Sequence, residues 1–318
     1  MREDKIVVLA LVLLANIIPL SLGSSYVLHV FGNANMDGKI DQEDIATLRE
    51  IISNNMSPTG LADANLDGEV DLRDIAQVEM IINGTEKELS LLDGNDLPIT
   101  INKPVERIVV EYLDNADLMQ ILKKTDKVVG VDLAVAKSPA EFPEMSNRTC
   151  VGAMHKEPDY EKVLSLDPDL LLVFSNVTQE KDKNLPGVPV LFAGLYYPDL
   201  LKPETSAFTD AVRKLGYVLD AQQDAEEYIQ WHMNSLNRLV ESTGSIPDSE
   251  RPTVLVAAYP EADEKTIFTF AQIDTLTSMV DLAGGRTVAA DLPDFMKSTY
   301  RIEVDPEWVL QEDPDYIV

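Results

Sequence analysis

Residues 158–174 read PDYEKVLSLDPDLLLVF, and a shortened copy, DPEWVLQEDPDYIV, closes the chain at 305–318. The two align without gaps: Glu161 falls on Glu307, Leu164 on Leu310, and Asp167-Pro168-Asp169 on Asp313-Pro314-Asp315. Each reads as a short amphipathic helix, a turn set by proline, and a run of apolar residues. Such a run suits a strand buried on both faces of a parallel sheet. A repeated helix–turn–strand unit predicts two similar α/β lobes with a cleft between them.

The rest of the chain from residue 86 onward supports that architecture. Residues 89–92 and 97–101 flank Asp93-Gly94-Asn95-Asp96, a hairpin signal. Buried strands are predicted at 107–110, 128–131, 188–192 and 253–257, with helices at 117–123 and 274–282 between them. Alternation of this kind gives a mostly parallel sheet with both faces covered. Residues 207–243 are different, carrying helical apolar spacing without a proline. They predict either one connecting helix, about 50 Å long if unbroken, or two helices divided near Gly216. The second copy of the doublet stops inside its apolar run, so the C-terminal lobe, 252–318, is expected to lack a strand and closing helices.

The chain begins with Arg2 and Lys5, an apolar run over 6–20, and Ser21-Leu22-Gly23. This pattern predicts a signal peptide at 1–23 and export to an extracytoplasmic place, either a cell surface or a periplasm-like space. A balance of 26 Lys+Arg against 55 Asp+Glu gives a formal net charge of −29. That charge argues against nucleic acid and anionic membrane as partners and favours cations or basic patches. The single Cys150 excludes an internal disulfide and is expected to be a small buried thiol.

Between the leader and the lobes lies a duplicated loop. Asn33, Asn35, Asp37, Lys39, Asp41 and Asp44 stand at positions 1, 3, 5, 7, 9 and 12 of the first copy. Asp63, Asn65, Asp67, Glu69, Asp71 and Asp74 take the same positions in the second, and Gly38 and Gly68 take position 6. Hard-oxygen coordination of Ca²⁺ needs this pattern: the glycine makes the sharp turn and position 7 lends its backbone carbonyl. Two calcium ions are expected, the second site tighter because it offers four carboxylates against three. A helix is predicted behind each loop, at 45–52 and 75–82, while proline and glycine precede the second loop where an EF-hand would have a helix. Loop–helix repeats of this form resemble the dockerin family, over residues 28–85. The resemblance implies a small all-α module that docks on a cohesin domain of another protein.

A second resemblance covers the remainder. Pro104-x-x-Arg107-Ile-Val-Val, Gly130-Val-Asp, Val151-Gly152, Glu161-x-Val-Leu-x-Leu-x-Pro-Asp169-Leu, Leu282-Ala-Gly-Gly285 and Glu307-x-Val-Leu-x-x-x-Pro-Asp315 are similar to the solute-binding proteins of ABC importers for iron-siderophores, haem and cobalamin. The resemblance implies an N-terminal lobe over 86–206, a connecting helix over 207–243, and a ligand in the cleft. It also implies that Glu161 and Glu307, one per lobe, dock on the membrane permease. Two carboxylates on equivalent units make a two-point contact that sets register. Loops after strand ends should line the cleft, which places Tyr112, Met154, His155, Tyr196, Tyr197, Tyr259, Tyr300 and Arg301 there. Aromatic rings suit a flat macrocycle or catecholate chelate, and Arg301 or His155 an anionic group.

Dockerins also carry polysaccharide-active enzymes, and a surface scaffold or adhesion protein is a further alternative. The chain has no G-x-S-x-G nucleophile elbow, no H-E-x-x-H and no phosphate-binding glycine loop. A binding protein rather than an enzyme is therefore expected.

Overall fold

The computed structural model describes residues 27–153, 158–174, 178–195, 200, 203, 206–258, 267–272, 274–296 and 301–318. Each duplicated loop runs into a helix, α1 (Gln42–Ile52) and α2 (Leu72–Asn83). Both helices begin three residues earlier than apolar spacing alone predicts, because each N-terminus is a capping box. Asp41 and Asp71 accept from the first turn, while Asp44 and Asp74 reach back to the cap N–H. The reciprocal bonds satisfy donors that a helix start otherwise leaves orphaned. Ile45, Leu48 and Ile51 of α1 and Ile75, Val78 and Ile81 of α2 are buried.

The hairpin forms as β1 (Glu88–Leu92) and β2 (Pro98–Asn102), antiparallel, with Leu89 opposite Ile101. The apolar stretch ahead of the first loop lies along its free edge. Phe31 N–H donates to Ser90 O at 2.9 Å, Leu92 N–H to His29 O at 2.9 Å, and Val30 bridges Leu91. Loop–helix module and first lobe therefore share one hydrophobic core, in which Leu28, Leu48 and Val78 are continuous with Leu91, Ile108 and Val218.

The first lobe contains β3 (Ile108–Val110), α3 (Leu113–Ile121), β4 (Val128–Val131), α4 (Leu133–Ala136) and β5 (Thr149–Cys150). It continues through α5 (Tyr160–Ser165), β6 (Leu170–Val173), α6 (Thr178–Asp182) and β7 (Val190–Phe192). All five of these strands are parallel, in the order β5-β4-β3-β6-β7. Every residue of β3 and β6 is buried, which explains why both read as unbroken apolar runs. From β3 the chain builds outward to β5, then returns to β3's other side for β6 and β7. The winding thus reverses between β3 and β6, where an open α/β sheet leaves a crevice at its carboxyl edge. Cys150, expected buried, is half-exposed at the end of edge strand β5.

Residues 207–243 are not a single helix. They form α7 (Ala207–Val218) and α8 (Gln222–Thr243), separated by a corner at which Asp220 takes φ +51°. The break falls just beyond Gly216 because a residue distant in sequence caps it. Buried Lys103, at the end of β2, donates to Tyr217 O at 2.7 Å, Val218 O at 2.8 Å and Asp220 Oδ1 at 2.6 Å. At about 1.5 Å per residue α8 spans about 33 Å. It is anchored in the first lobe by Ala225 and Ile229, and in the second by Leu236 against Leu282.

The second lobe contains β8 (Thr253–Leu255), β9 (Ile267–Phe270), α9 (Thr275–Leu282), β10 (Arg286–Thr287), β11 (Arg301–Val304), α10 (Pro306–Glu312) and β12 (Tyr316–Ile317). β10, β8 and β12 form a parallel sheet, and β9 pairs antiparallel with β11. β11 was not anticipated, although Arg301–Val304 alternates exposed and buried residues as a one-faced strand should.

Candidate functional site

The two copies of the doublet take the same structure. Asp159 caps α5 by accepting from Lys162 N–H, and Asp305 caps α10 by accepting from Glu307 N–H. Asp167 and Asp313 both leave the helix in the left-handed region, at φ +45° and +44°. The next acidic residue then ties the turn to the neighbouring strand. Asp169 Oδ2 accepts from Glu106 N–H at 2.7 Å and Arg107 N–H at 2.8 Å, at the entry to β3. Asp315 Oδ2 accepts from Thr253 N–H at 2.8 Å and its hydroxyl at 2.9 Å, at the entry to β8. β6 and β12 then pair in parallel with β3 and β8. Glu161 and Glu307 consequently occupy the same place in each lobe, in the first turn of the helix, and both are exposed.

At the carboxyl ends of β3 and β6, Tyr112 lies two residues beyond β3 and Phe174 follows β6 directly. Their rings are in contact, with centroids 4.1 Å apart and planes tilted by 53°. Tyr112 holds φ +72° and ψ +160°, a backbone conformation rare outside glycine, which costs about 1–3 kcal/mol and persists only where surrounding packing imposes it. Burial also raises its phenol pKa. Behind the ring pair lies an ion pair: Lys181 Nζ, from α6, donates to both carboxylate oxygens of Glu111 at 2.6 Å. Both side chains are almost fully buried, and burial raises the Glu111 pKa despite the ammonium. The hairpin tip closes this corner, with Gly94 N–H donating to Phe192 O at 2.7 Å and Thr178 Oγ1 to Asp93 Oδ2 at 3.3 Å. An aromatic pair beside a buried ion pair can hold a flat or apolar ligand group against its rings.

Of the other residues expected in the cleft, Met154, His155, Tyr196, Tyr197, Tyr259 and Tyr300 lie outside the described residues. Arg301 opens β11 with its guanidinium 5.8 Å from the Phe270 ring centroid, its cross-strand partner. Phe174 carries no site signal in the sequence, because it closes an apolar run that reads as core. Glu111 and Lys181 lie 70 residues apart, and no local pattern joins them.

The duplicated loops share most of their internal bonds. Position 12 braces each: Asp44 accepts from Asn35 and Asp41 N–H, and Asp74 from Ala64, Asn65 and Asp71 N–H. Burial pushes the Asp44 carboxyl up to about 6 and raises Asp74. Among the described residues no three His, Cys, Asp or Glu side chains converge closely enough to form a metal-binding group. In the second loop, however, a protein cation bridges the acidic residues. The exposed guanidinium of Arg73 lies 2.5 Å from Asp67, 2.8 Å from Asp71 and 3.4 Å from Glu69. Asp63, Asn65, Asp67, Asp71, Asp74 and the Glu69 carbonyl are the oxygen donors that could hold a calcium ion here, and in this structure Arg73 neutralises part of their charge. In the first loop Lys39 pairs with Asp41 at 2.5 Å.

Comparison with known proteins agrees with the fold. The family described as "Periplasmic binding protein" matches residues 108–318. Among solved structures, the petrobactin-binding protein YclQ from Bacillus subtilis is similar with a TM-score of 0.59 and 20% identity, over 73% of this chain and 76% of that one. The molybdate-bound periplasmic binding protein MolA from Haemophilus influenzae gives 0.59 and 19%, over 72% of each chain. A periplasmic solute-binding protein from Veillonella parvula gives 0.56 and 21%, over 72% of this chain and 67% of that one. No curated protein sequence matches the chain. At these identities the structural likeness is one of fold, but the family match spans most of the chain and both copies of the doublet: the chain belongs to the periplasmic binding protein family.

Proposed function

We propose that the protein is the extracytoplasmic solute-binding component of an ABC importer for an iron chelate, haem or cobalamin. On this reading the loop–helix module is dockerin-like and holds the protein to a cohesin-bearing partner in a calcium-dependent way. The observation that carries the importer reading is the structural equivalence of Glu161 and Glu307. Two exposed carboxylates on matching helix starts, one per lobe, suit a two-point salt-bridge contact with a permease. The Tyr112–Phe174 aromatic pair at the winding reversal favours a ligand with a flat or aromatic surface. YclQ binds petrobactin, which belongs with this reading; MolA binds molybdate, so an oxyanion is the competing ligand class. The second loop supplies the calcium site.

Two experiments test this reading. Permease ATPase activity should rise with wild-type protein and much less with Glu161→Ala/Glu307→Ala; equal stimulation would remove the docking role. A thermal-shift panel of ferric catecholate, haem, cobalamin and molybdate should raise the Tm with one of the first three. A shift with molybdate alone would overturn the ligand class.

A further inference from the structure

We propose that the first duplicated loop holds no metal: Asn33 has turned it into a fixed joint between the module and the α7–α8 corner, leaving one calcium per chain at the second loop. The inference rests on the calcium-module reading above and sharpens it, since the sequence pattern alone predicts two ions.

The two loops serve as each other's control, and they part at position 1. In the second loop, Asp63 Oδ1 accepts from Asp67 N–H at 3.1 Å and Oδ2 from Gly68 N–H at 2.9 Å. The 67–68 peptide thus points its N–H at the carboxylate, and Gly68 takes φ +93°. In the first loop Asn33 Oδ1 still accepts from Asp37 N–H at 3.1 Å. Its amide nitrogen, however, donates to Asp37 O at 2.6 Å. The equivalent 37–38 peptide is therefore inverted, with its carbonyl facing position 1, and Gly38 lies outside the left-handed region.

Asn33 Nδ2 also donates to Leu28 O at 2.8 Å, and the whole residue is fully buried. Two carbonyls on one side and an N–H on the other leave a single amide orientation that satisfies all three. Asn33 thus offers a cation one neutral oxygen, Oδ1, where Asp63 offers a carboxylate, and its nitrogen takes the place of the oxygen that accepts from Gly68 N–H in the second loop. An aspartate in that geometry would hold an oxygen against both carbonyls, so the inversion depends on the amide.

The inverted carbonyl is used elsewhere. Asp37 O accepts from Leu28 N–H at 2.8 Å, in the segment that continues into the edge of β1. Ile40 N–H donates to the Tyr217 hydroxyl of α7 at 2.9 Å. Asp37, Gly38 and Lys39 face Arg213 and Glu226 across a cavity of about 420 Å³ at the corner. Among the described residues the second loop meets no such element: Asp67, Gly68 and Glu69 are exposed, and the cation covering it is the surface arginine Arg73.

Calcium titration calorimetry on the decalcified full chain tests the inference. One ion is expected for the wild type, one at unchanged affinity for Asp37→Ala, none for Asp67→Ala, and two for Asn33→Asp. Two ions in the wild type would overturn the metal-free joint while leaving a calcium module in place. No ion in the wild type would overturn the module reading itself, and a single ion in Asn33→Asp would overturn the role given to the amide. Amide NMR needs no variant: calcium should shift the Gly68 resonance and leave Gly38 in place, and a matching Gly38 shift would count against the joint.

Discussion

The buried Glu111–Lys181 pair next to Tyr112 permits a quantitative test. Lys181→Met keeps the bulk of the side chain and removes the ammonium, leaving a carboxylate that is 3% exposed and has lost both 2.6 Å contacts. Stranding a buried charge in this way typically costs about 3–5 kcal/mol. The carboxylate can escape by taking a proton, which bounds the cost. From an ordinary glutamate pKa near 4.3, holding it neutral costs about 1.4 kcal/mol per pH unit, so about 4 kcal/mol at pH 7.5 and about 1 kcal/mol at pH 5. The sign follows from linkage: with the folded pKa raised, the native state binds a proton that the unfolded chain has released, and stability falls as pH rises through the folded value. Burial already raises Glu111 in the wild type, so the same trend is present there but weaker. Urea unfolding of both proteins at pH 5, 6 and 7.5 should therefore show a gap that widens with pH. Glu111→Gln/Lys181→Met, which buries no charge, should recover most of the loss. A gap below about 1 kcal/mol at pH 7.5, or one that does not shrink toward pH 5, would refute the reasoning.

Three further outcomes follow from other contacts. A Cβ at Gly216 would stand 2.9 Å from Ala225 Cβ and 3.3 Å from Gln222 Cα, so Gly216→Val should wedge α7 from α8 and cost about 1–3 kcal/mol by denaturant unfolding. His29 Nδ1–H donates to Asp210 Oδ2 at 3.1 Å, and that hydrogen bond raises the histidine pKa. The contribution is complete below the ordinary histidine value and lost as pH rises through the raised one, so the Tm deficit of His29→Gln should be largest in acid and fade in alkali. Asp169→Ala should speed hydrogen exchange at the Glu106 and Arg107 amides, and Asp315→Ala at Thr253; unchanged exchange at either would break the equivalence of the two turns.

Features written in consecutive residues are legible in the sequence. The Asp-Pro-Asp turns come out as expected because proline and short acidic side chains settle the local backbone, and Asp167 and Asp313 differ by one degree in φ. The β1–β2 hairpin, β3, β4 and the two loop-following helices were readable for the same reason. Helix starts were misplaced because a capping box extends a helix into polar residues that carry no periodicity. The position of Tyr112 beyond a strand end was readable from sequence, whereas its ring partner Phe174 was hidden in an apolar run.

By itself the sequence determined the two-lobed α/β plan, the paired glutamates and the presence of duplicated acidic loops, because turn chemistry and apolar periodicity act within a few residues. Tertiary structure alone decided three other matters. It set the corner between α7 and α8 through Lys103, more than a hundred residues away. It fused the module to the first lobe by laying residues 29–31 along β1. And it gave two nearly identical loops different fates: at position 1 an amide and a carboxylate differ by one atom, but the partners that atom faces depend on which way a peptide turns and what packs behind it. Contacts between distant segments depend on burial and on which donors remain unsatisfied, and neither is written in the order of the residues.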